Sequence, residues 1–324
     1  MLLLKDIKGQ NNAVKSLTTA IAMGRVANGY LFSGASGVGK ALTVRAFLSE
    51  LYCVEKSGQG ACLACSPCRR IWKNEHPDVV WVKPEETKSI KIEQIVTAKE
   101  KLHLKPYESE RTACIIEEAH MMTREAANAL LKVLEEPPGK AVLILVTNKR
   151  ELLLPTVISR CVDVKFYELA SDTVKSILMR ETGADLRTAD IIAALSGGSP
   201  GRAIEMFKSG FLERRQKVMN MLDEIVSSKY PHLNAWDSEK KETLIEDIEL
   251  LVALLRDVVI SKEGVPGKVI DRAFVGTPAH SYFSALSSDR IGKAVARLVE
   301  MKVLLEGNLN PKIAAQALAG ELIG

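Results

Sequence analysis

The stretch that decides the fold spans residues 29–41 and reads Gly-Tyr-Leu-Phe-Ser-Gly-Ala-Ser-Gly-Val-Gly-Lys-Ala. Its apolar beginning predicts a short buried strand, its glycine-rich middle predicts a loop, and Lys40 predicts the start of a helix. Glycines in such a loop let backbone N–H groups surround phosphate oxygens at a helix N-terminus. The stretch therefore predicts a phosphate-binding loop that turns at Gly34, Gly37 and Gly39.

One position of this loop departs from the pattern of Gly, four residues, Gly, Lys, and then Ser or Thr. Gly34, Gly39 and Lys40 fit the pattern, whereas the last position is Ala41. The missing hydroxyl normally holds a magnesium ion, and Lys40 would reach the terminal phosphates of a nucleotide. The loop can still hold the phosphates of ATP without the metal, at reduced affinity, so the sequence leaves open whether ATP binds here.

A second feature supports a nucleotide-binding fold. Residues 113–116 are an apolar run that predicts a buried strand, and Glu117 and Glu118 follow it directly. In phosphate-loop ATPases the first carboxylate, usually Asp, orients magnesium, and the second polarises the attacking water. The alternative is a pair of solvated glutamates at a strand end. Thr147 ends another apolar strand and is either a sensor of the γ-phosphate or a simple strand terminus.

Four cysteines form the pattern C-x8-C-x2-C-x2-C, at positions Cys53, Cys62, Cys65 and Cys68. Four thiolates can close a tetrahedral zinc site, and with every position filled by protein the zinc would be structural. Buried thiols are the alternative, but the polar, glycine-containing residues between the first two cysteines are untypical of a core. An iron–sulfur cluster is less favoured, because no further cysteine followed by proline completes that pattern. Residues 54–74 are expected to be irregular.

Composition and charge narrow the class of protein. The chain has 324 residues, of which 47% are hydrophobic and 26% charged, as in ordinary globular proteins. A net charge of +4 neither requires nor excludes nucleic acid. We find no signal-peptide pattern at the start of the chain and no apolar run long enough to span a bilayer. A cytoplasmic location without a membrane partner is therefore expected.

Strands alternate with helices as far as about residue 166, which predicts an α/β fold with a parallel sheet flanked by helices. No convincing strand follows. We expect residues 1–166 to form a nucleotide-binding-fold domain with a zinc-binding insertion at residues 53–68. Residues 167–208 would form a small helical lid, and residues 209–324 an all-α domain.

Two predicted helices carry clear local signals. Thr123 is a plausible N-cap for a helix that runs to about Glu135 and is stopped by two prolines. Further along, an apolar stripe at helical spacing is either core or a face for a partner. The stripe consists of Leu244, Ile248, Leu251, Leu255 and Val258.

Taken together, these motifs resemble the bacterial sliding-clamp loader subunits of DNA polymerase III, a family of AAA+ proteins. The resemblance rests on the phosphate loop, the four cysteines, His-Pro-Asp at 76–78, residues 115–119, residues 127–138 with Leu-Glu-Glu-Pro-Pro, and Ser-Arg-Cys at 159–161. It is strong over residues 1 to about 205. It is weaker over the helical remainder, which is similar to the clamp-loader collar, the oligomerisation domain of the family.

Within this family the departures indicate the delta-prime branch rather than the motor branch, gamma/tau. The motor branch needs Ser or Thr at position 41, and it has an arginine in the lid where this chain has Gly201. Arg202 lies one residue after that position. Because one residue on a helix turns a side chain by about 100°, Arg202 is not expected to replace the lid arginine. The resemblance implies a subunit with little or no ATPase activity of its own. The alternative is an active gamma/tau-like ATPase.

The resemblance also implies a mechanism and partners. Arg160 would be an arginine finger that acts in trans on the ATP of a neighbouring motor subunit, while Glu118 would be a degenerate catalytic carboxylate. The partners would be the motor and delta subunits in a hetero-pentamer that loads the sliding clamp onto primer–template DNA. Without the resemblance, Arg160 would be interpreted as a surface salt-bridge partner. An unrelated switch or DNA-repair ATPase of the same fold is disfavoured by the Leu-Glu-Glu-Pro-Pro run.

Overall fold

The computed structural model describes residues 1–56, 60–85, 89–227, 240–264, 274–307 and 309–323. The chain forms two compact units. One consists of Met1–Ile177 with Gly197–Arg202, and the other of Leu178–Ser196 with Ala203–Gly324. The division into three domains at residues 166 and 208 stays a prediction.

The first unit is built on a sheet of five strands. They are β1 (Gly29–Ser33), β2 (Val79–Val82), β3 (Ala113–Ile116), β4 (Val142–Thr147) and β5 (Val162–Lys165). The strands are all parallel and lie in the order β2-β3-β4-β1-β5. Every residue of β1, β3 and β4 is buried, because a parallel sheet is covered by helices on both faces. The predicted α/β class and its parallel sheet are confirmed.

Six helices belong wholly to this unit. They are α1 (Asn11–Ala22), α2 (Lys40–Tyr52), α3 (Ser66–Lys73), α4 (Ile92–His103), α5 (Arg124–Glu135) and α6 (Pro155–Ile158), with short 3-10 turns at Leu4–Asp6, Ala119–Met121 and Arg150–Leu152. The predicted cap of α5 is confirmed, since Thr123 accepts a hydrogen bond from the Ala126 N–H at 3.2 Å.

The expectation that residues 54–74 are irregular is wrong for α3. Pro67 lies in the first turn of this helix, where its missing N–H costs nothing, and Asn74 ends it in the left-handed conformation. Cys68 and Ile71 face the interior. The helix is only eight residues long, about two turns, and it lies among the cysteines that suggested an irregular metal-binding segment.

The parallel sheet has two functional edges, named here by the residues they carry. The carboxyl edge consists of residues 34–41, 117–120 and 147–150, which follow β1, β3 and β4. The amino edge consists of residues 28–29, 76–78 and 159–161, which precede β1, β2 and β5 or begin them. The register brings Ser33 level with Thr147, so the residues that follow these two strands are neighbours.

The second unit is helical throughout its described residues. α7 (Ser171–Thr182) begins in the first unit and ends in the second, and it is followed by α8 (Leu186–Leu195), α9 (Pro200–Lys208), α10 (Phe211–Ser227), α11 (Lys241–Lys262), α12 (Pro278–Ala285), α13 (Ser288–Glu306) and α14 (Pro311–Ile323). The apolar stripe of α11 is buried and is therefore core. None of the helices in the described ranges combines the length and apolar character that a membrane crossing needs.

Candidate functional site

The phosphate loop lies between β1 and α2, as predicted. Gly34 and Gly37 have φ angles of 146° and 73°, which only glycine adopts readily. A Cβ on Gly34 would lie 2.2 Å from the Phe166 carbonyl oxygen, so a side chain there is excluded by the backbone. Glycine is therefore required at both positions of this loop, and its binding of phosphate stays a prediction.

Lys40 is turned back onto this loop. Its Nζ donates hydrogen bonds to the carbonyl oxygens of Gly34 and Ala35, at 2.6 and 2.5 Å. The residue is only 7% exposed, and burial lowers the pKa of its ammonium group, while the charge of Glu118 raises it. In this conformation the lysine satisfies carbonyl groups of its own loop.

The residues Ser-Pro-Gly at 199–201 lie directly on the phosphate loop. The Gly201 N–H donates to the Gly37 carbonyl at 2.9 Å, and the Ser199 hydroxyl donates to the Ser36 carbonyl at 2.9 Å. A Cβ on Gly201 would lie 2.8 Å from the Cα of Gly37. A side chain at position 201 is therefore incompatible with this contact, which explains why glycine stands there.

The first turn of α2 offers no substitute for the hydroxyl missing at Ala41. The nearest hydroxyl along the helix belongs to Thr43, which is fully buried. Its Oγ1 donates to the carbonyl oxygen of Gly39 at 2.9 Å. The loop thus lacks the oxygen ligand for magnesium at its usual place.

The two carboxylates and Thr147 meet at the carboxyl edge, where His120 joins two of them. The imidazole Nε2 of His120 lies 3.6 Å from Glu118 Oε2, and its Nδ1 lies 3.1 Å from Thr147 Oγ1. Glu118 itself has a left-handed backbone with φ of 49°. Glu117 extends the sheet by donating its N–H to the Val82 carbonyl at 2.9 Å.

No role for His120 was predicted from the sequence patterns. The signal that identifies it is topological. β3 and β4 are neighbouring parallel strands, so a residue soon after the end of β3 lies beside the end of β4. Burial lowers the pKa of His120, and the charge of Glu118 opposes that shift.

Arg160 lies at the amino edge and is held by two helices. Its Nε and Nη2 contact Oε1 of Glu135, the last residue of α5, at 2.8 and 2.5 Å. Its Nη1 donates to the carbonyl of Thr156 in α6 at 2.9 Å. The structure thereby joins the Leu-Glu-Glu-Pro-Pro run to the Ser-Arg-Cys triplet, two motifs that lie 25 residues apart.

Arg160 and the phosphate loop lie at opposite ends of β1. A Cβ on Gly29, at the start of β1, would lie 3.0 Å from the carbonyl oxygen of Arg160. Gly34 follows the end of the same strand, and five residues of strand at ~3.3 Å each span about 16 Å. The structure does not bring Arg160 together with Lys40, Glu117, Glu118 or Thr147.

The four cysteines come together in a cluster that can hold a metal ion. Their sulfur atoms all lie within 4.8 Å of one another, and the sulfur atoms of Cys53 and Cys65 are 4.0 Å apart. Zn–S bonds of ~2.3 Å in a tetrahedron require sulfur–sulfur distances of roughly 3.8 Å. The backbone N–H groups of Cys62 and Cys65 donate to cluster sulfurs at 3.2 Å, which stabilises thiolates. The donor set fits a closed four-thiolate site.

The His-Pro-Asp motif forms a buried support at the start of β2. The carboxylate of Asp78 accepts hydrogen bonds from the backbone N–H groups of Tyr107, Glu108 and Ser109, at 2.6 to 3.1 Å. Burial raises the pKa of Asp78, but these hydrogen bonds outweigh it and hold the pKa below its usual value. The motif therefore fixes the loop that leads into β3.

Comparisons with known proteins agree with these motifs. A family model described as DNA polymerase III, delta subunit, matches residues 9–170. The delta' subunit of Bacillus subtilis is 29% identical over 310 residues, covering 93% of this chain and 92% of the relative. The delta' subunit of Pseudomonas aeruginosa is 30% identical over 65% of this chain and 66% of its own. The gamma subunit of Buchnera aphidicola is 30% identical over 55% of this chain and 50% of its own.

One solved structure is similar over most of the length. A gamma subunit-related protein of Thermotoga maritima covers 94% of this chain and 97% of its own, with 19% identity and a TM-score of 0.45.

Proposed function

Because the chain belongs to the family of DNA polymerase III delta' subunits, we propose that it presents Arg160 in trans to ATP held by a neighbouring gamma/tau subunit. The observation that carries this proposal is the position of Arg160. It is exposed at the amino edge, about 16 Å along β1 from its own phosphate loop. A cation there is out of reach of a nucleotide on its own chain and available to one on another.

An arginine finger supplied from outside stabilises charge that develops on the transferred phosphoryl group. The guanidinium suits this task because it keeps its charge at every relevant pH and its planar fork matches phosphate oxygens. Arg160 is the residue that would do this work. The chain would then contribute to hydrolysis of ATP without hydrolysing any itself.

The features of its own pocket support little or no ATPase activity. Ala41 lacks the hydroxyl that anchors magnesium, and Lys40 is bonded to carbonyls of its own loop. The Gly201 N–H donates a hydrogen bond to the Gly37 carbonyl, so the Ser-Pro-Gly segment packs directly on the loop. Glu117, Glu118 and Thr147 would then be retained parts of a degenerate site. The same features disfavour the alternative of an active gamma/tau-like ATPase.

We also propose that the four-cysteine cluster holds zinc. Cys53 ends α2 and Cys68 lies in α3, so the ion would join two helices through residues 53–68. Four thiolates fill all positions of a tetrahedral ion, which leaves none for water. The role of this zinc is structural.

The partners follow from the same proposal. Relatives of this chain include DNA polymerase III gamma and gamma/tau subunits as well as delta' subunits. We infer a hetero-pentamer of this chain with gamma/tau and delta subunits, which loads the sliding clamp onto primed DNA in the cytoplasm. The chain would then be part of a DNA-directed DNA polymerase holoenzyme.

The proposal is tested on the complex reconstituted with the gamma/tau and delta subunits of the same bacterium. Arg160→Ala is expected to slow hydrolysis at the site it faces by about 10³-fold, measured as single-turnover ATP hydrolysis with primed DNA. Arg180→Ala is the matched control, because Arg180 also forms an exposed ion pair, with Glu181. An unchanged rate in Arg160→Ala overturns the proposal, and robust ATP hydrolysis by the isolated chain supports the alternative.

A further inference from the structure

The guanidinium of Arg160 is oriented by its neighbours. Each of its three nitrogens has an acceptor: Nε and Nη2 contact Oε1 of Glu135, and Nη1 contacts the carbonyl oxygen of Thr156 and, at 3.4 Å, the hydroxyl of Ser159. An arginine carries five N–H donors in a fixed plane, so these four contacts leave one donor, on Nη2, unused. The side chain of Arg160 is 36% exposed and that of Glu135 is 49% exposed. The plane of the guanidinium is therefore held while part of it faces solvent.

The carboxylate of Glu135 contacts only one side of the Arg160 guanidinium. Both contacts from Arg160 go to the same oxygen, Oε1, and they come from the side of the fork formed by Nε and Nη2. A phosphate oxygen can approach the remaining Nη2 donor without displacing Glu135. The ion pair is thus compatible with a second anion, and it restricts the rotation of a long side chain before that anion arrives.

We propose that Glu135 is a positioning residue for Arg160, which keeps the guanidinium in the orientation that meets the phosphate of the neighbouring subunit. This inference rests on the function proposed above. What Glu135 contributes is the fixed geometry of its hydrogen bonds to the guanidinium, and the contribution of its negative charge is smaller. A positioning effect appears in the transition state, where the finger acts, and not in the binding of ATP.

The chain itself supplies a matched control. Glu136 follows Glu135, is also exposed and carries the same charge, but the guanidinium contacts Glu135. Removing either glutamate changes the net charge equally. A difference between Glu135→Ala and Glu136→Ala therefore reports the contact rather than the local charge.

The test uses the complex reconstituted with gamma/tau and delta subunits, and measures kcat and KM for ATP with primed DNA. Glu135→Ala is expected to lower kcat by about two- to five-fold, the range that exposed ion pairs give, with KM unchanged. Glu135→Gln keeps an acceptor oxygen and is expected to recover part of the loss. Glu136→Ala is expected to match the unmodified chain.

A double variant shows whether Glu135 acts through Arg160. In the background of Arg160→Ala, Glu135→Ala is expected to have no further effect on kcat. If Glu135→Ala lowers kcat further in the Arg160→Ala background, the inference is overturned. It is also overturned if kcat is the same for Glu135→Ala and Glu136→Ala. A higher kcat also overturns it, because Glu135 would then compete with the phosphate.

The outcomes separate this inference from the function on which it rests. If Arg160→Ala slows hydrolysis and Glu135→Ala does not, the role of Arg160 as an arginine finger is supported and the positioning role of Glu135 is rejected. If Arg160→Ala has no effect, the proposed function fails first. Thermal unfolding of each variant checks the fold, and if Glu135→Ala is destabilised the Glu135→Gln variant decides.

Discussion

The cationic side chains at the two edges of the sheet have opposite environments. At the carboxyl edge Lys40 is 7% exposed and bonded to carbonyl oxygens of its own loop, whereas Arg160 at the amino edge is 36% exposed. The buried ammonium has a lowered pKa and faces inward. The exposed guanidinium at the amino edge is the group that we propose meets a partner, whereas the buried ammonium at the carboxyl edge contacts only its own loop.

The segment from α2 to β2 connects the two edges. α2 starts at the phosphate loop and ends at Tyr52, just before Cys53, and α3 then leads to His76 and the start of β2. The four-cysteine cluster thus lies on the path that returns the chain from the carboxyl edge to the amino edge. We therefore expect substitutions along this path and at the amino edge to have large effects on stability or on ATP hydrolysis by the complex. Substitutions at the carboxyl edge are expected to have small effects.

The largest effect on stability is expected from Cys68→Ser. This buried cysteine is one of the four ligands that we propose for zinc, and a closed site that loses a thiolate loses its metal. We expect bound zinc to disappear in elemental analysis and the free energy of unfolding to fall by ~3 kcal/mol or more in chemical denaturation. Cys161→Ser, outside the cluster, is the control. Absence of zinc from the unmodified protein would contradict the prediction.

Asp78→Asn is expected to have the next largest effect on stability. Asn keeps one acceptor oxygen where the carboxylate accepts three backbone N–H bonds, so unfolding should require about 1–3 kcal/mol less at pH 7. Because the folded pKa is lowered, the stabilisation is present above the unfolded pKa of ~3.9 and is lost as pH falls through the folded pKa. The difference between the two proteins should therefore shrink in acid. Glu110→Gln, at an exposed site, should show no such difference.

Lys40→Ala tests the carboxyl edge directly. It removes two hydrogen bonds within the loop, which should cost about 1 kcal/mol of stability. Hydrolysis of ATP by the reconstituted complex should stay within about twofold of its normal rate, because no catalysis is expected at this loop. A loss as large as that of Arg160→Ala would show that this edge holds a working nucleotide.

The smallest effect is expected from Ala41→Thr, which restores the hydroxyl of the phosphate-loop pattern. Gly201 and Lys40 still engage the loop through their hydrogen bonds, so the isolated chain should show no measurable gain in ATP hydrolysis. A steady-state assay with magnesium checks this. A clear gain would mean that the missing hydroxyl alone had silenced the site.

Local signals were enough to predict much of the fold and part of the site. The phosphate loop, the strand before Glu117 and the cap at Thr123 each depend on a few adjacent residues, and all three are present in the structure. Contacts between distant residues were not predictable in this way. The link from His120 to Thr147 depends on which strands are neighbours, and the helix α3 was hidden by its short length.

The amino-acid sequence by itself determined the chemical inventory: a glycine loop without its hydroxyl, four thiols, two carboxylates and one arginine in a Ser-Arg-Cys triplet. These depend on residue type and spacing, which a linear chain records. Only the tertiary structure decided that Arg160 and Lys40 lie at opposite ends of β1, that Glu135 holds Arg160, and that Gly201 covers the loop. Those relations depend on how segments distant in sequence pack together, which no local pattern encodes.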